Sequence, residues 1–203
     1  MKKNIKNNLG FTFIEIITVI SIFSIMAGVV LFNFSDFTDS VNIQNLIQDV
    51  ALEFNLAQRS AITGLIQTDP NKQFIAGQPP MYGVYFNQID PSKFIYFLSP
   101  DGNTVLDYTG NPFTSCSQNN ECLDVITMNG GNVSNIYIDN GTGESVCSAP
   151  CELSITFVRP FPDATIYANG VPVLSSARIE ISSASGNFAR SVRVRASGQI
   201  SVE

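Results

Sequence analysis

The chain has 203 residues, 44% of them hydrophobic and 14% charged, with a formal net charge of -6 and no histidine. That balance excludes a wholly disordered chain, which needs low hydrophobicity and high net charge. The missing imidazole removes Ser/His/Asp and Cys/His nucleophile systems and His-ligated zinc or haem, and the acidic balance disfavours non-specific nucleic-acid binding through the whole surface.

Residues 1–10 carry Lys2, Lys3 and Lys6 and no acid, and the 24 residues 11–34 contain Glu15 as their single charge. As a helix at about 1.5 Å per residue the run is roughly 36 Å long, against a hydrocarbon core of about 30 Å. Asp36 and Asp39 follow, and the next basic residue is Arg59. Positive charge before the run and negative charge after it predict a cytoplasmic N-terminus, with everything beyond residue 34 outside. A cleaved secretory signal has a shorter apolar region, and Ile25-Met26-Ala27 matches its small-x-small site poorly. Placing the Glu15 carboxylate inside the bilayer is penalised by about 2.5–3.5 kcal/mol, so the residue needs a partner or a position from which it snorkels to the interface. Ser21, Ser24 and Gly28 recur at helical spacing, as in helices that approach one another closely and also in ordinary membrane helices.

The junction Gly10-Phe11-Thr12-Phe13-Ile14-Glu15, between a short basic leader and an uninterrupted apolar helix, resembles the N-terminal signature of type IV pilins and of the pseudopilins of type II secretion. The resemblance implies cleavage by a prepilin peptidase between Gly10 and Phe11, methylation of the new amino group on Phe11, and packing of the helix into a filament of like subunits. Phe13 stands where leucine is usual in that signature, and Phe32 where many pilins have a helix-kinking proline. A glycine before the scissile bond lets a protease bring that backbone close to its catalytic groups. A chain beginning at Phe11 would place its α-amine one helical turn from Glu15, and the amine of an adjacent subunit would reach the same carboxylate.

From residue 38 the pattern changes. Ile43, Ile47, Val50, Phe54, Ala57 and Ala61 recur at intervals of four and three, the stripe of an amphipathic helix, with Gln44, Asn45, Gln48, Asp49, Glu53 and Asn55 off it. No Gly or Pro intervenes between Val29 and Thr63, which predicts one helix over 11–63, ended by Gly64 and then Asp69-Pro70-Asn71.

Residues 64–203 read as β-rich. Segments 81–87 and 93–99 are aromatic and β-branched, joined by a five-residue loop; a turn at 100–103 leads to a short strand at 104–107. Residues 153–157 alternate as a half-buried strand does, Asn169-Gly170 signals a type I′ hairpin between 164–168 and 171–174, and a last pair, 177–183 with 189–195, precedes a final strand at 199–202. The expected architecture is α+β: a leader at 1–10, a long helix at 11–63 with its membrane part at 11–34, and at 64–203 an extracytoplasmic head made of one antiparallel sheet system packed on the amphipathic half of the helix.

The four cysteines fall as Cys116-x5-Cys122 and Cys147-x3-Cys151 in the portion assigned outside. Cysteines in an oxidising compartment pair, and four allow three connectivities; the two local bridges, 116 with 122 and 147 with 151, are favoured among them, and pairing is favoured over a Cys₄ zinc site. Asp139-Asn140-Gly141-Thr142-Gly143-Glu144 offers oxygen ligands of the kind that hold calcium, as some relatives in the superfamily do, and also the composition of a plain turn. No cofactor is implied and no constellation supports catalysis.

Charge is uneven. The last 45 residues carry five Arg against three acids, whereas residues 11–158 stand at -11. Arg193 and Arg195 alternate with Val192 and Val194 and so share one strand face. Residues 189–194 with Ser197-Gly198-Gln199-Ile200, and Ala57-Gln58-Arg59-Ser60-Ala61-Ile62, loosely resemble the H-type pseudopilin and minor pilin family, some of whose members bind DNA through C-terminal arginines. The resemblance implies Arg193 and Arg195 as candidate DNA contacts; charge guarding a strand face against edge pairing accounts for the same residues. Together these features predict a non-enzymatic minor pilin or pseudopilin, first in the inner or cytoplasmic membrane and then in a filament. DNA capture and a plain single-pass membrane-anchored binding protein are the alternatives.

Overall fold

The computed structural model describes residues 11–64, 81–99 and 122–203, excluding the side chains of 30–36. The expected turns at 69–71 and 100–103 and the strand at 104–107 lie outside the described residues. The chain divides into two compact units, Met1–Thr38 and Asp39–Glu203.

A single helix among the described residues, α1, runs from Phe13 to Thr63. Gly64, at φ +62°, ends it, its amide donating to the Ala61 carbonyl at 3.1 Å. Within the second unit the six stripe residues Ile43, Ile47, Val50, Phe54, Ala57 and Ala61 are all buried, joined by Leu46, Ala51 and Ser60. Burying this stripe offsets the entropy of ordering a helix whose composition alone would not hold it together.

Among the described residues eleven strands follow: β1 Met81–Asn87, β2 Lys93–Ser99, β3 Cys122–Thr127, β4 Gly131–Asp139, β5 Glu144–Val146, β6 Glu152–Val158, β7 Ala164–Ala168, β8 Val171–Val173, β9 Ser176–Ser183, β10 Ala189–Arg195 and β11 Ile200–Val202. They form two sheets where one sheet system is expected from the sequence. The six-stranded sheet has the order β3-β2-β1-β6-β7-β8 and the five-stranded sheet β11-β10-β9-β4-β5; every pairing is antiparallel. In the five-stranded sheet β9, β10 and β11 stand where the sequence places them, whereas β4 and β5 escape sequence reading, β4 because it is rich in Gly, Asn, Ser and Asp. The register of β4 against β9 also shifts between Val133 and Asn135, so its buried residues Val133 and Ile136 stand three apart and not two.

One apolar core joins the stripe of α1 to Tyr82, Val84 and Phe86 of β1 and to Ile179, Ile181, Val192 and Val194 of β9 and β10. The Phe54 and Phe86 rings lie 5.9 Å apart, and Phe86 stacks on Phe94 at 5.2 Å. The opposite face of β1 and β2 carries a smaller cluster of Tyr85, Ile95 and Phe97 with Cys122. Gly131 opens β4 where the helix comes closest: a Cβ there would meet Leu46 at 2.5 Å and Ile43 at 3.0 Å. The Asn169-Gly170 hairpin forms as expected, with both residues at positive φ, 49° and 74°.

Candidate functional site at the N-terminal junction

Every described side chain from Phe11 to Met26 is exposed. An isolated helix that is apolar on all sides has no face for water, so this surface requires lipid or other helices around it. Its polar side chains are turned inward on its own backbone: the Thr18 hydroxyl donates to the Glu15 carbonyl at 2.9 Å and the Ser21 hydroxyl to the Ile17 carbonyl at 2.8 Å. Gly28 is open, with nothing within 4 Å of a Cβ built on it.

Glu15 begins the helix as well as charging it. Its Oε2 accepts both the backbone N–H and the hydroxyl of Thr12, each at 3.1 Å, while the Glu15 amide donates to Thr12 Oγ1 at 3.4 Å. The Thr12 carbonyl accepts the first helical bond, from Ile16, at 3.3 Å. This is a reciprocal capping box in which an acid in the first turn also meets the positive end of the helix dipole. Thr12 is absent from the sequence expectations, although Thr12-x-x-Glu15 before an apolar run is its recognisable pattern. Glu15 Oε1 takes no hydrogen bond among the described residues, and Glu15 lines a groove of about 360 Å³ together with Phe11, Ile16, Val19 and Ile20. Gly10 lies outside the described residues. Among the described residues no helix is long and apolar enough to cross a membrane; the expected span 11–34 runs into 30–36, whose side chains are outside them.

In the head, Cys147 and Cys151 form a disulfide with an S–S distance of 2.01 Å. Cys122 is disulfide-bonded too, and Cys116 lies outside the described residues. The amide of Cys151 donates to Gln88 Oε1 at 3.0 Å and the Gln88 amide returns to the Cys151 carbonyl at 3.0 Å, so the bridged loop is tied to the end of β1. The oxygen-rich 139–144 segment is a turn: Asp139 Oδ1 accepts the amides of Gly141 and Gly143, at 2.7 and 3.2 Å.

Arg193 and Arg195 diverge in their surroundings. Arg193 gives Nε and Nη2 to Glu203 at 2.7 and 3.0 Å and Nη1 to Glu144 at 2.5 Å, so all three of its nitrogens are engaged by carboxylates. Arg178, directly opposite Arg193 in register, also binds Glu144 and lies over the Tyr137 ring at 3.9 Å. Hydrogen bonding from Glu203 and then from Glu144 holds the Arg193 proton more tightly than usual, and the Arg178 hydrogen bond holds Glu144 below the ordinary carboxylate value. Among the described residues Arg195 makes one side-chain bond, to Gln199 Oε1 at 2.7 Å.

Residues 5–31 match the family model of the prokaryotic N-terminal methylation motif, the prepilin-cleavage signature of type IV pilins and pseudopilins. No curated protein and no solved structure matches the chain.

Proposed function

The chain carries the motif of a prepilin-peptidase substrate, and we propose that it is a minor pilin or pseudopilin, a structural subunit of a type IV pilus or a type II secretion pseudopilus. The observation that carries the reading is the junction itself: a cleavage pair Gly10-Phe11 in the sequence, directly ahead of a capped helix start whose side chains from Phe11 to Met26 are all exposed. Residues 11–34 hold the precursor in the inner or cytoplasmic membrane in a single pass, with the leader cytoplasmic and the head outside. Prepilin peptidase then removes residues 1–10 and the amine of Phe11 is methylated. In the filament the exposed helix exchanges lipid for neighbouring helices, and Glu15, with Oε1 still open, meets the amine of an adjacent subunit. The disulfide-pinned, loop-rich head is large for a bulk subunit, which favours the minor role.

N-terminal peptide mass spectrometry on the protein from native membranes or sheared filaments tests this. The expected product starts at N-methylated Phe11; a chain that starts at Met1 overturns the reading in favour of a membrane-anchored extracellular protein.

A further inference from the structure

Three Asn-Gly pairs occupy described turns of the head: 129–130, 140–141 and 169–170. Glycine leaves its amide nitrogen unshielded, so that nitrogen can reach the preceding carboxamide carbon and close a five-membered ring. Two further groups assist that ring closure at one pair. Asp139 Oδ1 accepts the Gly141 N–H at 2.7 Å, which puts a carboxylate where the attacking nitrogen must lose its proton. The Leu174 amide donates to Asn140 Oδ1 at 3.1 Å, on the oxygen that gains negative charge as the ring closes. Asn140 is exposed, and its Nδ2, the leaving nitrogen, takes no hydrogen bond among the described residues.

We infer that Asn140-Gly141 is a self-modifying site, at which the folded chain converts Asn140 to aspartate and isoaspartate with water as the only co-reactant. The Gly141 nitrogen gives its proton to the Asp139 carboxylate and bonds to Asn140 Cγ, with Oδ1 held by the Leu174 N–H. The Cγ–Nδ2 bond then breaks, and the nitrogen leaves as ammonia with the proton returned from Asp139. Water adds to either carbonyl of the succinimide and opens it, giving aspartate or isoaspartate and one new negative charge. Asn169 is the internal contrast. Its Oδ1 takes the Glu152 amide at 2.8 Å, as Asn140 Oδ1 takes that of Leu174, but its Nδ2 is held as well, by the Ser148 carbonyl at 3.0 Å, and this second tie keeps the carboxamide from turning onto Gly170. Asn129 is exposed, with no carboxylate bonded to the following amide among the described residues.

The change falls between Asp139 and Glu144, which face each other across β4 and β5. Isoaspartate lengthens the backbone of that turn and loosens Glu144, the carboxylate shared by Arg178 and Arg193. The outer face of the five-stranded sheet therefore changes as the molecule ages, whatever assembly the N-terminus joins.

The test is a time course on the full-length chain in detergent at neutral pH and physiological temperature. Peptides containing 129, 140 and 169 are quantified for deamidation and isoaspartate, in the wild type and in Asp139→Asn. Position 140 is expected to convert about tenfold faster than 169, and faster than 129. Asp139→Asn is expected to slow 140 by about tenfold, below the hundredfold typical of a general base in an enclosed site, and to leave 129 unchanged. Conversion at 129 as fast as at 140 overturns the proposal, and so does an Asp139→Asn variant that reacts at the same rate or faster, since the Asp139 bond would then guard the turn. Position 169 reports the fold: its conversion in the variant marks a loosened head, and the order of the three wild-type sites then decides.

Discussion

Gln58 Nε2 donates to the Gly198 carbonyl at 2.9 Å and to the Pro162 carbonyl at 2.8 Å, across 140 residues of sequence in the first case. The two segments of looser family resemblance, around Gln58 and around Gly198, are thus one contact: the side chain near the end of α1 closes the β6–β7 and β10–β11 loops over itself. Gly198 is at φ +79°, and a Cβ there would run into the Pro162 carbonyl and the Gln58 amide. Gln58→Leu, which leaves two carbonyls without their donor, is expected to cost about 1–3 kcal/mol. Gly198→Ala should cost more, since it adds backbone strain to the clash. Urea unfolding of both variants checks the order; an equal or smaller loss for Gly198→Ala would contradict it.

The Cys147–Cys151 bridge closes a loop of separation 4 and ties it to Gln88. Chain-entropy arguments give so short a loop about 2 kcal/mol. The double variant Cys147→Ser/Cys151→Ser should therefore stay folded with a lower midpoint: both cysteines belong to the buried cluster that forms the core, but Phe54, Phe86 and Ile179 of the same cluster keep their apolar contacts. A chain that cannot fold without the bridge would assign that loop a larger part in the structure.

What was legible in the sequence follows one physical rule: signals survive where period and composition agree. Ile43 to Ala61 repeat with helical spacing and all six residues lie in the core, and Asn169-Gly170 forces a turn by its own backbone preferences. The strand β4 was illegible because Asn, Ser, Asp and Gly there take their stability from neighbours, and β5 because its three residues are too few to show a period. Ser134, for example, hydrogen-bonds the Glu180 carbonyl and carboxylate of β9, a partner 46 residues away. At the junction, Glu15 stands out by its charge alone, whereas Thr12 is visible only when the first turn is read as a cap. Of the two arginines, Arg193 is distinguished by Glu144 and Glu203, which arrive from other strands and cannot be foreseen from strand alternation.

Acid should act on the head through carboxylates of opposite sign. Arginine hydrogen bonds hold Glu144 and Glu203 below their ordinary 4.5, so their contribution is complete above about pH 4.5 and is lost as pH falls through the lowered values. Burial first, and then Asp124 and Asp49, raise Glu53 above 4.5. Ionised Glu53 therefore costs stability at neutral pH, and that cost is relieved as pH falls through its raised value toward 4.5. Melting temperature should rise slightly as pH is lowered from neutrality toward the ordinary carboxylate value of 4.5 and should fall at pH below that value. Glu53→Gln should raise stability at pH 7 by less than about 1 kcal/mol, because the group is only partly buried and solvent screens the rest, and should abolish the rise. A profile for Glu53→Gln that parallels the wild type would remove Glu53 from this account.

In the proposed filament Glu15 would do two things with one carboxylate: Oε2 holds Thr12, and Oε1, which takes no hydrogen bond among the described residues, would meet a neighbour's amine. Helix capping and subunit pairing can therefore be separated by substitution. Thr12→Val removes the hydroxyl and leaves the charge of Glu15 in place; the first turn should lose about 0.5–2 kcal/mol, the usual worth of an N-cap. Glu15→Gln keeps an acceptor for the Thr12 amide and removes the charge that a neighbour's amine would need. Amide exchange at Phe13 to Glu15 in lipid nanodiscs reads the cap, and filament yield from cells reads the pairing. The expected pattern is faster exchange in Thr12→Val than in Glu15→Gln, with the larger loss of filaments in Glu15→Gln. The reverse pattern would mean that the carboxylate serves chiefly to start the helix.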